Sequence, residues 1–391
     1  MRIRLLLPVI ALLALGCTSS DTHSDYRLRY TNAVVVADLD GDNRPDVITG
    51  NGTYVEAGAE AGYASISLQV TPGTLGTPTR YVVGGDPAAL AVGDLNGDNR
   101  PDLVVANAAS GTVSVYFQSP TTPGTFTLAA TLNTGALTPL DVAIGDLNQD
   151  NRPDIAVASS GSNTVQIFYQ TATAGTFLPA ASLSVSGDPR AIVVADLNGD
   201  LRPDLAVSTT ADSVSVFFQN VAPGTFATAL VLPVGARPVA LKAVDLTGSG
   251  RLDLITANYR ALTPQEGVTV LLQTAPGVFA AGVNVDIGDY YAAGLAVGDL
   301  DGDNHPDLVV ACAGLPGDPG SVAVLKQNAA SLGTFLAPDN YIGYTGPLGV
   351  AIGDLNNDTL PDLVVADGKP YRRLQLSGQP GTFGAASFIG Y

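Results

Sequence analysis

An all-β fold, a β-propeller of seven four-stranded blades, is what this chain of 391 residues predicts. Three observations carry that prediction. A nine-residue pattern, Asp-Leu-Asp-Gly-Asp-Asn-Arg-Pro-Asp at Asp38 to Asp46, recurs with starts at Asp94, Asp146, Asp196, Asp245, Asp299 and Asp354, at intervals of 49 to 56 residues. Repetition at such a period decides the architecture before local propensity does. Between copies the chain keeps four apolar beats bounded by turn residues, and no window carries a helical period. The beat entering each Asp pattern is rich in Gly and Ala, as inner strands crowded around an axis require, which favours a closed ring over an open solenoid.

The chain opens with Arg2 and Arg4 ahead of an apolar run, Leu5 to Leu15, that is too short to span a bilayer. The run ends Leu13-Ala14-Leu15-Gly16-Cys17, which resembles a bacterial lipoprotein signal with Cys17 as the lipidated first residue of the mature chain. Ordinary cleavage near the same point is the other reading. Residues 1–17 are thus expected to be an export signal and 18–32 a polar tether, with a short strand around Tyr26 to Tyr30. The propeller is expected over 33–391. The mature chain is expected at the cell envelope or outside the cell, touching membrane only through a lipid anchor. Only Cys312 remains after Cys17, so no internal disulfide is available.

Within each repeat the first beat runs into the Asp pattern, as in Leu90-Ala91-Val92-Gly93, and the second leaves it, as in Leu103-Val104-Val105-Ala106. The third alternates with period two, as in Val113-Ser114-Val115-Tyr116-Phe117. The fourth follows a Gly-Thr-Phe-like turn marked by Phe126, Phe177, Phe226, Phe279, Phe335 and Phe383, with Leu75 in the first copy. These rings are expected in the core. The ring closes in one of two ways: Ala385 to Tyr391 completes the seventh blade, or the segment near Tyr26 clasps it.

Carboxylates at alternate positions repel unless a cation sits among them. Hard oxygen donors at this spacing suit Ca²⁺, which takes about six to eight oxygen ligands in a forgiving geometry. Side chains at positions 1, 3, 5 and 9 and the carbonyl at position 7 are the expected ligands. In the first copy these are Asp38, Asp40, Asp42, Asp46 and Arg44; in the second, Asp94, Asn96, Asp98, Asp102 and Arg100; in the third, Asp146, Asn148, Asp150, Asp154 and Arg152. The fourth has Asp196, Asn198, Asp200, Asp204 and Arg202, the sixth Asp299, Asp301, Asp303, Asp307 and His305, and the seventh Asp354, Asn356, Asp358, Asp362 and Leu360. The fifth, with Asp245, Thr247, Ser249, Asp253 and Arg251, keeps two carboxylates and is expected to be weak or empty. Leucine at position 2 of every copy is expected to plug the loop into the core. The loop is not an EF-hand, which needs a bidentate Glu at position 12 where this chain has Thr49 or Val105. The competing reading is that the aspartates only cap tight turns through backbone amides.

The formal charge is −18, and 22 of the 36 acidic residues lie in the seven loops, so the acidity follows the loops and not a global field. Seven divalent ions, carrying fourteen positive charges, would bring it to −4. No basic stripe supports nucleic-acid binding.

The repeated Asp-Leu-Asn-Gly-Asp-Asn-Arg-Pro-Asp, followed by Leu-Val-Val-Ala and later Gly-Thr-Phe, resembles FG-GAP (VCBS-type) repeats over about residues 33 to 391. Such repeats build the amino-terminal propeller of integrin α-subunits. The resemblance implies structural Ca²⁺ between the first two strands of a blade, about six or seven ions in all, and a monomeric binding or adhesion module. Its partner would be a protein or glycan.

Tyr259, Arg260, Tyr290, Tyr291, Tyr344, Tyr371 and Arg372 are expected to gather on the face opposite the Asp loops, and Tyr and Arg are residue types that dominate recognition surfaces. The rival reading is a Ca²⁺-dependent polysaccharide lyase or hydrolase. Against it, His23 falls in the tether and His305 in an Asp loop, Cys312 has no nearby His in sequence, and the chain lacks Trp. Asp289 and Glu266 remain as carboxylates outside the loops.

Overall fold

The computed structural model describes residues 31–52, 62–135, 137–259, 266–289, 291–314 and 319–389. Cys17 and the expected signal and tether up to residue 30, together with Arg260 and Tyr290, lie outside the described residues. The strands form seven antiparallel four-stranded sheets, each built from one contiguous stretch of chain. Blade three is typical, with strands Thr138–Gly145, Asp154–Ser160, Thr164–Phe168 and Ala181–Ser184 paired in sequence order. The described residues contain no α-helix and none long and apolar enough to cross a membrane.

The first strands, Thr31–Ala37, Pro87–Gly93, Thr138–Gly145, Pro189–Ala195, Pro238–Val244, Ala292–Gly298 and Gly349–Gly353, touch their neighbours around the axis. The expected need for small residues there is met. A Cβ on Gly145 would come within 2.5 Å of Val194 Cγ1, and one on Gly353 within 2.4 Å of Val36 Cγ1. Second strands are sandwiched between neighbouring blades and therefore read as unbroken apolar runs, such as Leu103-Val104-Val105-Ala106, all fully buried. The apolar core lies between blades, as where Val104 and Ala106 of blade two meet Ile155 and Val157 of blade three.

The position-2 leucines are plugs as expected: Leu39, Leu95, Leu147, Leu197, Leu246, Leu300 and Leu355 are at most 1 % exposed. Truncating such a side chain to alanine typically costs about 2 to 5 kcal/mol. The recurring phenylalanines pair across a tight turn with a glutamine at the end of the third strand, as Phe177 does with Gln170 and Phe383 with Gln375. In blade two the fourth strand begins at once, Phe126–Asn133; in blade three it waits until Ala181. Blade seven is completed by its own Ser387–Phe388, which answers one of the two routes to closure.

Candidate functional site

Each Asp loop joins the first strand of a blade to the second, at one end of the ring. Its backbone turns through two left-handed residues, positions 4 and 6, which explains the glycine at one and the asparagine at the other. Gly41 and Asn43 have φ of 79° and 62°, and Gly97 and Asn99 have 78° and 61°. The position-1 carboxylate fastens this turn. Asp38 Oδ1 accepts from the Gly41 amide (2.8 Å) and Oδ2 from the Asn43 amide (2.9 Å). Position 3 accepts from the amide of position 5 and position 5 from that of position 7, as at Asp40–Asp42 (3.3 Å) and Asp42–Arg44 (2.9 Å). The turn-capping role is thus present in full, and a cation would have to use the oxygens that remain.

Position 9 does different work. Asp46, Asp102, Asp154, Asp204, Asp253, Asp307 and Asp362 are all at most 1 % exposed. Each carboxylate brackets two strands: in blade three, Asp154 Oδ2 accepts from the Leu147 amide (2.9 Å) and Oδ1 from the Gln170 amide (2.8 Å). Burial, only partly offset by those amides and aggravated by neighbouring carboxylates, pushes Asp154 up to about 7 and Asp46, Asp102, Asp204, Asp307 and Asp362 up to about 6. Burial also raises Asp253. At Asp253 the Arg251 charge offsets part of the rise.

The glutamine that completes the bracket is a residue the motif reading missed. Its side-chain amide donates to the position-8 carbonyl of its own loop and to the position-2 leucine carbonyl of the preceding blade. Gln170 Nε2 reaches Pro153 O at 2.8 Å and Leu95 O at 2.9 Å. Gln118, Gln219, Gln273 and Gln375 repeat the link to Leu39, Leu147, Leu197 and Leu300. The signal was in the sequence as a glutamine closing every third beat. Its distance from the position-9 aspartate, however, varies between 13 residues in blade seven and 23 in blade one.

Arginine at position 7 also does more than lend its carbonyl. The guanidinium groups of Arg44, Arg100, Arg152 and Arg202 form ion pairs with Asp42, Asp98, Asp150 and Asp200 two residues earlier. Loops one to four therefore carry an internal cation, and loops six and seven, with His305 and Leu360 at that position, do not. Counting side chains from Asp to Asp leaves loop six at −4, loops one and seven at −3, loops two to four at −2 and loop five at −1.

Two loops bring three carboxylates within 4.8 Å of one another: Asp38, Asp40 and Asp42 in the first, and Asp299, Asp301 and Asp307 in the sixth. Asp40 is pushed above its ordinary value by burial and then by the charges of Asp42 and Asp38; Asp301 is raised by burial and then by Asp303. Asp301 Oδ1 is buried without a hydrogen-bond partner. A buried, unpartnered carboxylate oxygen in a pocket of net charge −4 fits a hard cation. Asp245 of loop five is the opposite case. Burial opposes ionisation there, yet the amides of Gly250, Ser249, Thr247 and Gly248 hold the carboxyl below its ordinary value with no cation.

On the opposite face, where second strands end and first strands begin, the ring of Tyr259 packs on that of Tyr291 from the next blade at 5.1 Å, and Arg237 lies over Tyr259 at 5.6 Å. Two other members of the expected surface group are elsewhere. Tyr344 is 3 % exposed, packed in the core between blades six and seven, with its hydroxyl accepting from Arg373 Nε at 2.7 Å. Arg372 reaches the loop side of the seam, where Nη1 donates to Gly73 O of blade one at 2.6 Å. A long aromatic at the end of a fourth strand is drawn inward wherever the next blade offers it an apolar wall. Tyr371 is half-buried between the rings of Tyr344 and Phe388. Among the carboxylates outside the loops, Asp289 accepts from Ser321 Oγ beside the buried Cys312 thiol, which burial and then the Asp289 charge push up to about 12.

Comparison with known proteins agrees with this architecture. The profile of the FG-GAP-like repeat matches residues 94–157, 146–207, 245–310 and 299–365, and that of the FG-GAP repeat matches 30–67. Among solved structures, the chain is similar to BBS1N in a crystal structure with ARL6DN, at 13 % identity over 90 % of this chain and 94 % of that one, TM-score 0.54. It is also similar to a putative 6-phosphogluconolactonase from Bacteroides fragilis, at 13 % identity over 80 % and 87 %, TM-score 0.53. At such identities the likeness is one of fold. The matched repeats, those of the FG-GAP-like profile each running from one Asp loop into the next blade, together cover more than half of the chain and make it a member of the FG-GAP repeat family.

Proposed function

We propose that this propeller is an exported, calcium-stabilised recognition module, anchored at the envelope through Cys17, that binds a protein or glycan on the face opposite its Asp loops. The observation that carries the reading is the division of labour between the two ends of the ring. One end spends its polar residues on seven near-identical brackets; the other presents an aromatic pair, Tyr259 and Tyr291, that spans two blades with Arg237 against it. Paired Tyr rings with an Arg are the composition of interface anchors. The fold neighbour BBS1N, crystallised with ARL6DN, lends a protein partner additional support.

Calcium would be held by side-chain oxygens at positions 1, 3, 5 and 9 and the carbonyl at position 7, most strongly in loop six and least in loop five. When bound, it supplies positive charge that neutralises clustered carboxylates, and its binding free energy adds to folding. In this reading the residues of both ends bind and orient.

The test uses the soluble form, residues 18 to 391, against an envelope extract and a glycan array, with and without Tyr259→Ala and Tyr291→Ala. Binding that survives the double substitution undiminished, in a protein whose melting temperature is unchanged, refutes the assigned face. Melting temperature and ion content that stay flat under chelation refute the calcium.

A further inference from the structure

Asparagine followed by glycine occurs three times in this chain, at Asn51–Gly52, Asn96–Gly97 and Asn198–Gly199. The step is chemically labile for a steric reason. Glycine has no Cβ to obstruct the approach, so its main-chain nitrogen can reach the side-chain carbonyl carbon of the residue before it and close a cyclic imide. Whether a given step reacts depends on what holds its atoms.

Asn51 is held. It ends the second strand of blade one, and its Nδ2 donates to Thr49 O (3.1 Å), Thr49 Oγ1 (3.0 Å) and Ser65 Oγ (3.0 Å). Asn96 and Asn198 stand at position 3 of loops two and four. Their Oδ1 atoms accept from the Asp98 and Asp200 amides, both at 3.0 Å, and their Nδ2 groups donate to no protein atom among the described residues. The glycines after them are exposed, with φ of 78° and 77°, and a Cβ on either would meet nothing within 4 Å, so the turn has open space above it. One bond restrains the nucleophile in each loop: the Gly97 amide donates to Asp94 Oδ1 and the Gly199 amide to Asp196 Oδ1, both at 2.7 Å. Loops three and seven present the same asparagine without the glycine, as Asn148 before Gln149 and Asn356 before Asn357. Loops one and six carry Asp40 and Asp301 there.

We propose that Asn96 and Asn198 are sites of spontaneous deamidation, gated by the bond from the following glycine to Asp94 or Asp196, that converts loops two and four to the charge of loop one. When that bond opens, the glycine nitrogen loses its proton to water and bonds to the asparagine Cγ. The Cγ–Nδ2 bond breaks, and the nitrogen leaves as ammonia. Water then opens the imide: cleavage at Cγ leaves aspartate, and cleavage at the main-chain carbonyl leaves isoaspartate, with one extra atom in the backbone of the turn. One water is consumed, one ammonia is released, and nothing is oxidised or reduced. Either product adds one negative charge, so each loop moves from −2 to −3, the count of loop one. The aspartate product also gives each loop the three carboxylates that loop one has at positions 1, 3 and 5.

The test incubates the purified protein in heavy-oxygen water, once folded and once unfolded in urea, and digests it in ordinary water, so that only conversions during the incubation carry the label. Peptide mass spectrometry reads every site in one digest. In the folded protein Asn96 and Asn198 are expected to convert at least tenfold faster than Asn51, Asn148 and Asn356. They are expected to be several-fold slower than in urea, where Asn51 joins them. Gly97→Gln, which places the residue of loop three in loop two, slows Asn96 at least tenfold and leaves Asn198 at the wild-type rate. Should that variant fail to fold by circular dichroism, the reverse exchange, Gln149→Gly, is expected to bring Asn148 to the rate of Asn96. Asn96 and Asn198 no faster than Asn148 in the folded protein, equal rates folded and unfolded, or rates unmoved by exchange of the glycine would each overturn the proposal.

Discussion

Replacing Gln170 by alanine is the sharpest trial of the idea that the blades are fastened through their Asp loops. The side chain is 2 % exposed and makes three hydrogen bonds: Nε2 to Leu95 O (2.9 Å) and Pro153 O (2.8 Å), and Oε1 from the Gly175 amide (2.8 Å). The main-chain bond from Gln170 to Asp154 survives the substitution, so the variant isolates the side chain. At about 1 kcal/mol net per bond the loss is about 3 kcal/mol, and stranding two buried carbonyls and an amide adds to it. Urea unfolding at fixed calcium should therefore show a midpoint shift equivalent to about 3 to 4 kcal/mol with an unchanged slope. Gln170→Glu keeps the shape but turns both donated bonds into repulsions, beside a carboxyl that already resists ionisation. It should cost at least as much at pH 7. A loss below about 1 kcal/mol for Gln170→Ala, or a Gln170→Glu variant as stable as wild type, would show that shape alone joins the blades.

Three further outcomes follow from single residues. Leu201 holds φ of +65° at position 6 of loop four and is 91 % exposed, so Leu201→Asn should stabilise by about 1 kcal/mol, read as a higher melting temperature. Burial raises Asp141 from 3.8 to about 6, against the Ile192 amide and the Lys242 charge, so its ionisation costs folding about 3 kcal/mol. That stability is fully present below the unfolded carboxyl value and is lost as pH rises through about 6; the difference in stability between Asp141→Asn and wild type should therefore change across that window and be flat above it. In limiting calcium, native mass spectrometry should show Asp301→Ala binding one ion fewer than wild type, whereas Ser249→Ala in loop five leaves the count unchanged.

Much of the ring was legible because seven copies of one pattern state the same constraint seven times. The number of blades, the position of the Asp loops between first and second strands, and the burial of Leu39 and its six counterparts all follow from spacing and residue type. The glutamine clasp was obscured because hairpins of different length separate it from the aspartate it serves. The side-chain role of Arg44 was hidden by attention to its carbonyl, since an aspartate two residues earlier in an extended turn gives no sign of folding back. Tyr344 and Arg372 could not be placed from sequence because the neighbouring blade decides whether a side chain at a strand end turns inward, outward or across the seam. Asp141, Arg190 and Lys242, on the first strands of blades three, four and five, escaped notice for a related reason: each stands at a different offset from its loop, so only the closed ring brings them to one cavity on the axis.

The seam between the last blade and the first shows why the Asp loop matters to more than its own strand pair. In five of the other interfaces the acceptor is the position-2 carbonyl of the preceding loop and the donor is the glutamine amide. At the seam the acceptor is again that carbonyl, Leu355 O, but the donor is the Gly73 amide at 3.0 Å, four residues beyond Gln69 on the same hairpin. Gly73 in turn accepts from Arg372 of blade seven, so the contact is held from both sides. Every one of these acceptors belongs to the backbone that the position-1 and position-9 carboxylates shape. An ion that fixes the loop therefore also fixes the carbonyl on which the next blade hangs. If an ion occupies the loop, its occupancy and ring closure would be coupled, in a ring whose seven sheets exchange no strand between first and last among the described residues.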